Sequence, residues 1–191
     1  MTKTARTFWR WFKDNSSRFE DLRGGSDEHG LLEELNQQVQ KYSPNIVWEI
    51  GHGPDGKFEL VISACGYTEY FPQVNELIDA APQIDQWVFT AFKQPGDVNE
   101  RISFNGKEYK IDDFWFTFVG DDQRGLIVLH KLGDAPDIQT AAILLLDNVV
   151  GEYDAATGID SFAVDTLPDD PEQYEIYPMR EIYERFQARP K

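Results

Sequence analysis

Apolar residues recur at helical spacing over residues 138–150. Ile138, Ala141, Ala142, Leu145 and Val149 share one face, and Ile143, Leu144, Leu146 and Val150 fill much of the rest. A stretch that is apolar nearly all round predicts a helix buried on more than one side. At about 14 residues it falls short of the roughly 20 needed to cross a bilayer. Pro136 suits the first turn, and Asp134 and Asp137 oppose the positive end of the helix dipole. Gly151 is placed to end the helix in the left-handed conformation. The pattern predicts a central core helix over 137–150. The chain should then pass through Gly151-Glu152-Tyr153-Asp154 into a last strand at about 159–165.

Two further helices are predicted before the first strand. Over 5–23, Phe8, Phe12, Phe19 and Leu22 share a face with Trp9 and Trp11 flanking it, while Lys3, Arg6, Arg10 and Lys13 form a cationic stripe. Basic and aromatic residues together invite a membrane-surface reading. Large aromatics at this density favour packing on the body instead. Gly24-Gly25-Ser26-Asp27 reads as linker and cap, and a helix over about 27–42 turns Leu31, Leu32, Leu35 and Val39 inward.

Strand signals then dominate. Ile46, Trp48 and Ile50 alternate with Val47 and Glu49, and Phe58, Leu60, Ile62 and Ala64 alternate with Glu59 and Ser63, across the turn Gly53-Pro54-Asp55-Gly56. A helix at about 71–81 directs Val74, Leu77, Ile78 and Ala81 inward, and a strand follows at Trp87 to Phe92. Asn105-Gly106 marks a two-residue hairpin, because a type I′ turn needs two positive φ angles. Residues 114–119 and 126–131 form another antiparallel pair. A final helix over 178–188 places Met179, Ile182, Tyr183 and Phe186 inward.

Strand, strand, helix, strand thus occurs twice, with starts at 46 and 114, 58 and 125, 71 and 138, although the residues do not match. The fold class expected is α+β: two ββαβ-like units in one mostly antiparallel sheet, helices packed on one face, and an N-terminal helical arm. The expected domains are an amphipathic helix at 1–25 packed on the body and a single α+β domain at 26–191.

Charge narrows the function. The chain of 191 residues has 18 basic and 34 acidic side chains, a net charge of −16. That balance argues against nucleic-acid binding by the folded body. Residues 132–179 hold eleven acidic side chains and no Lys or Arg, which reads as a solvated rim or as a docking face for a basic protein partner. The N-terminus lacks a signal-peptide pattern, and the single cysteine, Cys65, cannot form an internal disulfide, so a cytoplasmic location is expected.

Candidate chemistry is sparse. His29, His52 and His130 are far apart, and no nucleophile, phosphate-loop or dinucleotide motif occurs. No catalytic residue, metal site or cofactor is expected. The candidate binding residues are Asp147, Glu152, Tyr153 and Asp154, whose carboxylates gather where the core helix ends. There they would face the negative end of its dipole, a locally unfavourable placement that can mark a site.

Phe8-Trp9-x-Trp11-Phe12-x-x-Asn15-x-x-x-Phe19 and Leu146-Asp147-x-x-x-Gly151-Glu152 resemble a group of uncharacterised bacterial proteins known by domain-of-unknown-function labels. The resemblance implies a bacterial cytosolic α+β protein and transfers no catalytic residue. Three functions remain in view. The leading one is a small acidic binding, adaptor or immunity-type protein without catalytic activity. The alternatives are a carboxylate-based hydrolase, with or without a divalent metal, and a membrane-surface protein held by the N-terminal helix. Membrane contact is the least favoured of the three.

Overall fold

A computed structural model describes residues 4–20, 28–96, 101–134 and 137–190. The chain divides into two compact units, Met1–Lys93 and Gln94–Lys191. The division falls between the two ββαβ segments rather than after the first helix. The class is α+β, as the pattern predicts. No helix among the described residues is long and apolar enough to cross a membrane.

The first unit contains α1 (Ala5–Glu20), α2 (Glu28–Tyr42), β1 (Val47–His52), β2 (Phe58–Ser63), α3 (Phe71–Asp79) and β3 (Trp87–Ala91). Phe8, Phe12 and Phe19 fall on one stripe of α1 and are buried, and Trp9 beside them is buried as well. Trp9, Phe12 and Phe19 meet the rings of β3. Trp9 and Phe12 lie 4.5 and 5.5 Å from Phe89 between centroids, and Phe12 meets Trp87 edge-on at 4.9 Å. Full burial of each such side chain contributes about 1.5–3 kcal/mol. Arg6, Arg10 and Lys13 are exposed on the opposite side of α1. Lys3, Leu22 and the linker at 24–27 lie outside the described residues.

The second unit contains β4 (Arg101–Phe104), β5 (Lys107–Lys110), β6 (Phe114–Val119), β7 (Gly125–His130), α4 (Ile138–Val150), α5 (Glu152–Gly158), β8 (Ser161–Thr166), β9 (Tyr177–Pro178) and α6 (Ile182–Gln187). Asn105 and Gly106 take φ of 49° and 72° between β4 and β5, the pair of positive angles expected of the tight hairpin. Helix α4 packs Ala141, Ala142, Leu145, Leu146, Val149 and Val150 into a core with Phe114, Phe116, Leu126 and Val128 of the sheet. Met179, Ile182 and Phe186 join that core, whereas Tyr183, expected inward, is exposed.

The strands do not share one sheet. They form a three-stranded sheet in the order β1-β2-β3, the β4-β5 ribbon, and a four-stranded sheet in the order β8-β7-β6-β9. In each ββαβ segment the hairpin is antiparallel, but the strand after the helix runs parallel to its neighbour. A helical crossover returns the chain to the same end of the sheet, so the next strand must repeat the direction of the last.

The two segments repeat each other closely. Val47 and Phe114 begin their first strands, Phe58 and Gly125 their second, and Phe71 and Ile138 their helices, each pair 67 residues apart. The hairpin registers match too, Val47 opposing Ser63 and Phe114 opposing His130. The third strands, beginning at Trp87 and Ser161, are offset by 74 residues, and the additional seven equal the length of α5. Side-chain direction is out of phase, however. The buried pair Leu60 and Ile62 occupies the third and fifth positions of β2, while Leu126 and Val128 occupy the second and fourth of β7. Because strand side chains alternate with period two, inward positions of one unit correspond to outward positions of the other. That is why the residues of the two segments do not match.

Candidate functional site

The joint between α4 and α5 holds the carboxylates singled out by sequence. Gly151 sits there with φ 90° and ψ 143°, a positive φ with extended ψ rather than the left-handed helical conformation expected. The Gly151 N–H donates to the Asp147 carbonyl at 3.1 Å, and the Ala155 N–H donates to the Gly151 carbonyl at 3.0 Å. One residue therefore closes α4 and opens α5. The strand expected at about 159–165 forms as β8, but a second helix precedes it. The electrostatic consequence is a reversal. Glu152 and Asp154 occupy the first turn of α5, at the favourable positive end of a helix, instead of the negative end of α4. Ala156 and Thr157 prolong the helical run, and Gly158 ends it.

The four candidates differ in burial. Glu152 is completely buried and Asp147 nearly so, Tyr153 is half exposed, and Asp154 is partly buried and accepts a hydrogen bond from Gln187 of α6 at 3.3 Å. Among the described residues no group of three or more His, Cys, Asp or Glu is placed to hold a metal ion. His52 is exposed at the end of β1, whereas His130 is buried, and its Nδ1 accepts the Leu132 N–H at 3.2 Å. Burial pushes the His130 imidazole below its ordinary value, against the opposing pull of the Asp165 charge.

The eleven acidic residues of 132–179 separate into distinct groups. Asp160 is clamped by Arg124, whose Nε and Nη2 donate to its two oxygens at 2.7 and 2.6 Å. Those bonds hold the Asp160 carboxyl below the usual carboxylate range. Asp165, Asp169, Asp170, Glu172 and Glu175 are all exposed, from the end of β8 through the connection at 167–176. None of the five forms an ion pair with a described residue. Asp165 accepts its neighbour's Thr166 N–H at 2.7 Å, and Asp170 accepts from Gln173 at 3.3 Å. Tyr174, at 61% exposure, stands among them. The connection carries the chain from one edge of its sheet, β8, to the other, β9. By contrast, Arg101, Lys107, Arg124, Lys131, Arg180 and Arg185 of the same unit are each paired with a carboxylate.

Sequence reasoning did not find one polar cleft of the first unit. It is open, about 450 Å³ in volume, and bordered by Thr4, Tyr42, Ser43, Asn45, Gln73 and Glu76 among others. The Tyr42 hydroxyl donates to the Gln73 carbonyl at 3.0 Å, and the Ser43 hydroxyl bonds the Gln73 side-chain oxygen. Burial first, and then the Glu76 charge, push the Tyr42 phenol up to about 12, so it remains a donor at neutral pH. Ser43 bonds an amide oxygen rather than a base, and the arrangement offers hydrogen bonding rather than an activated nucleophile. Only the i, i+3 spacing of Gln73 and Glu76 on α3 hints at it in the sequence. Compared with family models, curated proteins and solved structures, the chain matches none.

Proposed function

We propose that the chain is a non-catalytic binding protein of the cytoplasm, an adaptor or immunity-type protein that docks a basic protein partner. The observation that carries this reading is the exposed set Asp165, Asp169, Asp170, Glu172 and Glu175, none ion-paired with a described residue, in a unit where Arg101, Lys107, Arg124, Lys131, Arg180 and Arg185 each pair with another carboxylate. Carboxylates left without a counter-charge lose no internal pairing when a cationic surface approaches. They also steer that approach over about a Debye length, about 8 Å at physiological salt. The carboxylate-hydrolase alternative draws no comparable support from Asp147, Glu152 and Asp154, two of them buried and the third bonded to Gln187. The membrane-surface alternative would need the aromatic side of α1, which is spent on β3.

The test compares the wild-type chain with a variant carrying Asp169→Asn, Asp170→Asn, Glu172→Gln and Glu175→Gln. Both are used as bait at low and at high salt. A partner held by the wild type at low salt, released at high salt and lost by the variant supports the reading. Equal capture by bait and variant defeats it.

A further inference from the structure

We infer that the outer edge of β8 accepts an extended basic segment of the partner as an added β-strand. This rests on the reading above and names its mode of docking. Strand β8 ends the order β8-β7-β6-β9, so among the described residues only β7 pairs with it. The Leu167 N–H donates to the His130 carbonyl just after the strand, in step with the register. In a parallel ladder the bonded residues recur at every second position, so Phe162, Val164 and Thr166 direct their backbone N–H and C=O groups away from β7. The Asp165 carboxylate accepts the Thr166 N–H at 2.7 Å, and no described residue outside the strand forms a backbone hydrogen bond to the remaining groups.

The usual protections of an edge are missing here. Natural edge strands are blunted by lysine, proline, a bulge or extreme shortness. Strand β8 is six residues long, reads SFAVDT, and pairs one-to-one with β7 from Ser161 opposite Gly125 to Thr166 opposite His130. Ser161 and Ala163, on its exposed face, are small. The other edge of the same sheet, β9, is two residues long and offers no such ladder.

Charge selects the occupant. Asp165 lies on the edge, and four more unpaired carboxylates follow it in the connection. A second copy of this chain would bring the same carboxylates face to face on a body of net charge −16, and like charges opposed across a pair of strands are destabilising. A strand with alternating basic side chains meets complementary charge while its backbone completes the ladder.

The probe is a synthetic peptide of alternating lysine and valine, compared with the same peptide N-methylated at alternate backbone nitrogens, which keeps the charge and removes the ladder donors. Binding at least tenfold tighter for the unmethylated peptide is expected, with slowed amide exchange at Phe162 and Val164. The variant Val164→Pro, which removes one outward donor, should lose that tenfold preference. If Val164→Pro does not fold, the peptide pair on the wild type still decides. Equal binding of both peptides, abolished only by the charge-neutralised variant, overturns strand addition while leaving acidic docking intact. Protection of the β8 amides that is indifferent to the neutralised carboxylates leaves the edge and removes the charge-based reading. Binding of neither peptide, or dimerisation of the chain through β8, overturns the inference.

Discussion

The indole N–H of Trp9 on α1 donates to the backbone carbonyl of Leu77 on α3, at 2.5 Å and 68 residues away in sequence. Leu77 lies in the last turn of α3, where a helix leaves its own carbonyls without donors. The same indole packs on Phe89, so one side chain joins α1 to both the crossover helix and the strand that follows it.

Trp9→Phe should therefore cost about 1–3 kcal/mol by stranding a buried carbonyl. Phe12→Ala, which empties a fully buried site, should cost about 3–5 kcal/mol. Urea denaturation of both variants measures the difference. Removal of residues 1–23 should leave an insoluble or unfolded remainder, because it bares the rings of β3. A 24–191 chain that melted at the full-length temperature would show that α1 is dispensable.

Gly151 should be the less replaceable of two positive-φ glycines. A Cβ there would lie 2.8 Å from Pro95 Cδ, in addition to the strain of φ 90°. The segment after Pro95 is held against α4 by the Gly96 N–H, which donates to the Asn148 carbonyl at 3.0 Å. Gly151→Ala should cost about 2–4 kcal/mol, combining backbone strain and overpacking. Gly106→Ala, at φ 72° with open space around the new atom, should cost only about 1–2 kcal/mol. Equal losses in parallel denaturation curves would contradict the role given to Pro95.

The Tyr109 hydroxyl is buried with no hydrogen-bond partner among the described residues. A buried polar atom without a partner keeps its desolvation cost. Tyr109→Phe should consequently be neutral or stabilising by up to about 1 kcal/mol. A loss of more than about 1 kcal/mol would reveal a partner for the hydroxyl.

The acid side of the stability profile should have two separate steps. The folded pKa of His130 lies below its unfolded value of 6.5, so the unfolded chain takes up the proton first. Stability is then full above about pH 6.5 and declines as pH falls through that value toward the folded pKa. Protonation of Nδ1 would also break the bond from the Leu132 N–H. Asp112 and Asp160 are held below 3.8 by the hydrogen bonds of Arg180 and Arg124, so the stability they confer is lost only as pH falls below about 4. His130→Asn should remove the upper step and leave the lower one. Denaturation midpoints from pH 8 to 3 will show whether it does.

Local chemistry in the sequence determined most elements. The Phe8, Phe12 and Phe19 stripe, the apolar run of α4, the Asn105-Gly106 turn and the doubled strand-strand-helix-strand order rest on interactions between residues near one another in the chain. The cation-free run at 132–179 was equally visible as composition. Tertiary structure decided what depends on distant partners. Separation into three sheets turns on which strand edges meet, and helical crossovers set the parallel pairings. The opposite phase of Leu60 and Leu126 depends on the layer each strand must cover, which no local pattern contains. At Gly151, the close approach of Pro95 accompanies a positive φ with extended ψ, and a second helix precedes the expected strand. That turn sends Glu152 into the interior, while Asp165 and the carboxylates after it remain at the surface without an ion pair to any described residue. Composition counts all these acids alike, whereas burial and ion pairing, which arise between residues far apart in the chain, separate the inward ones from those free to meet a partner.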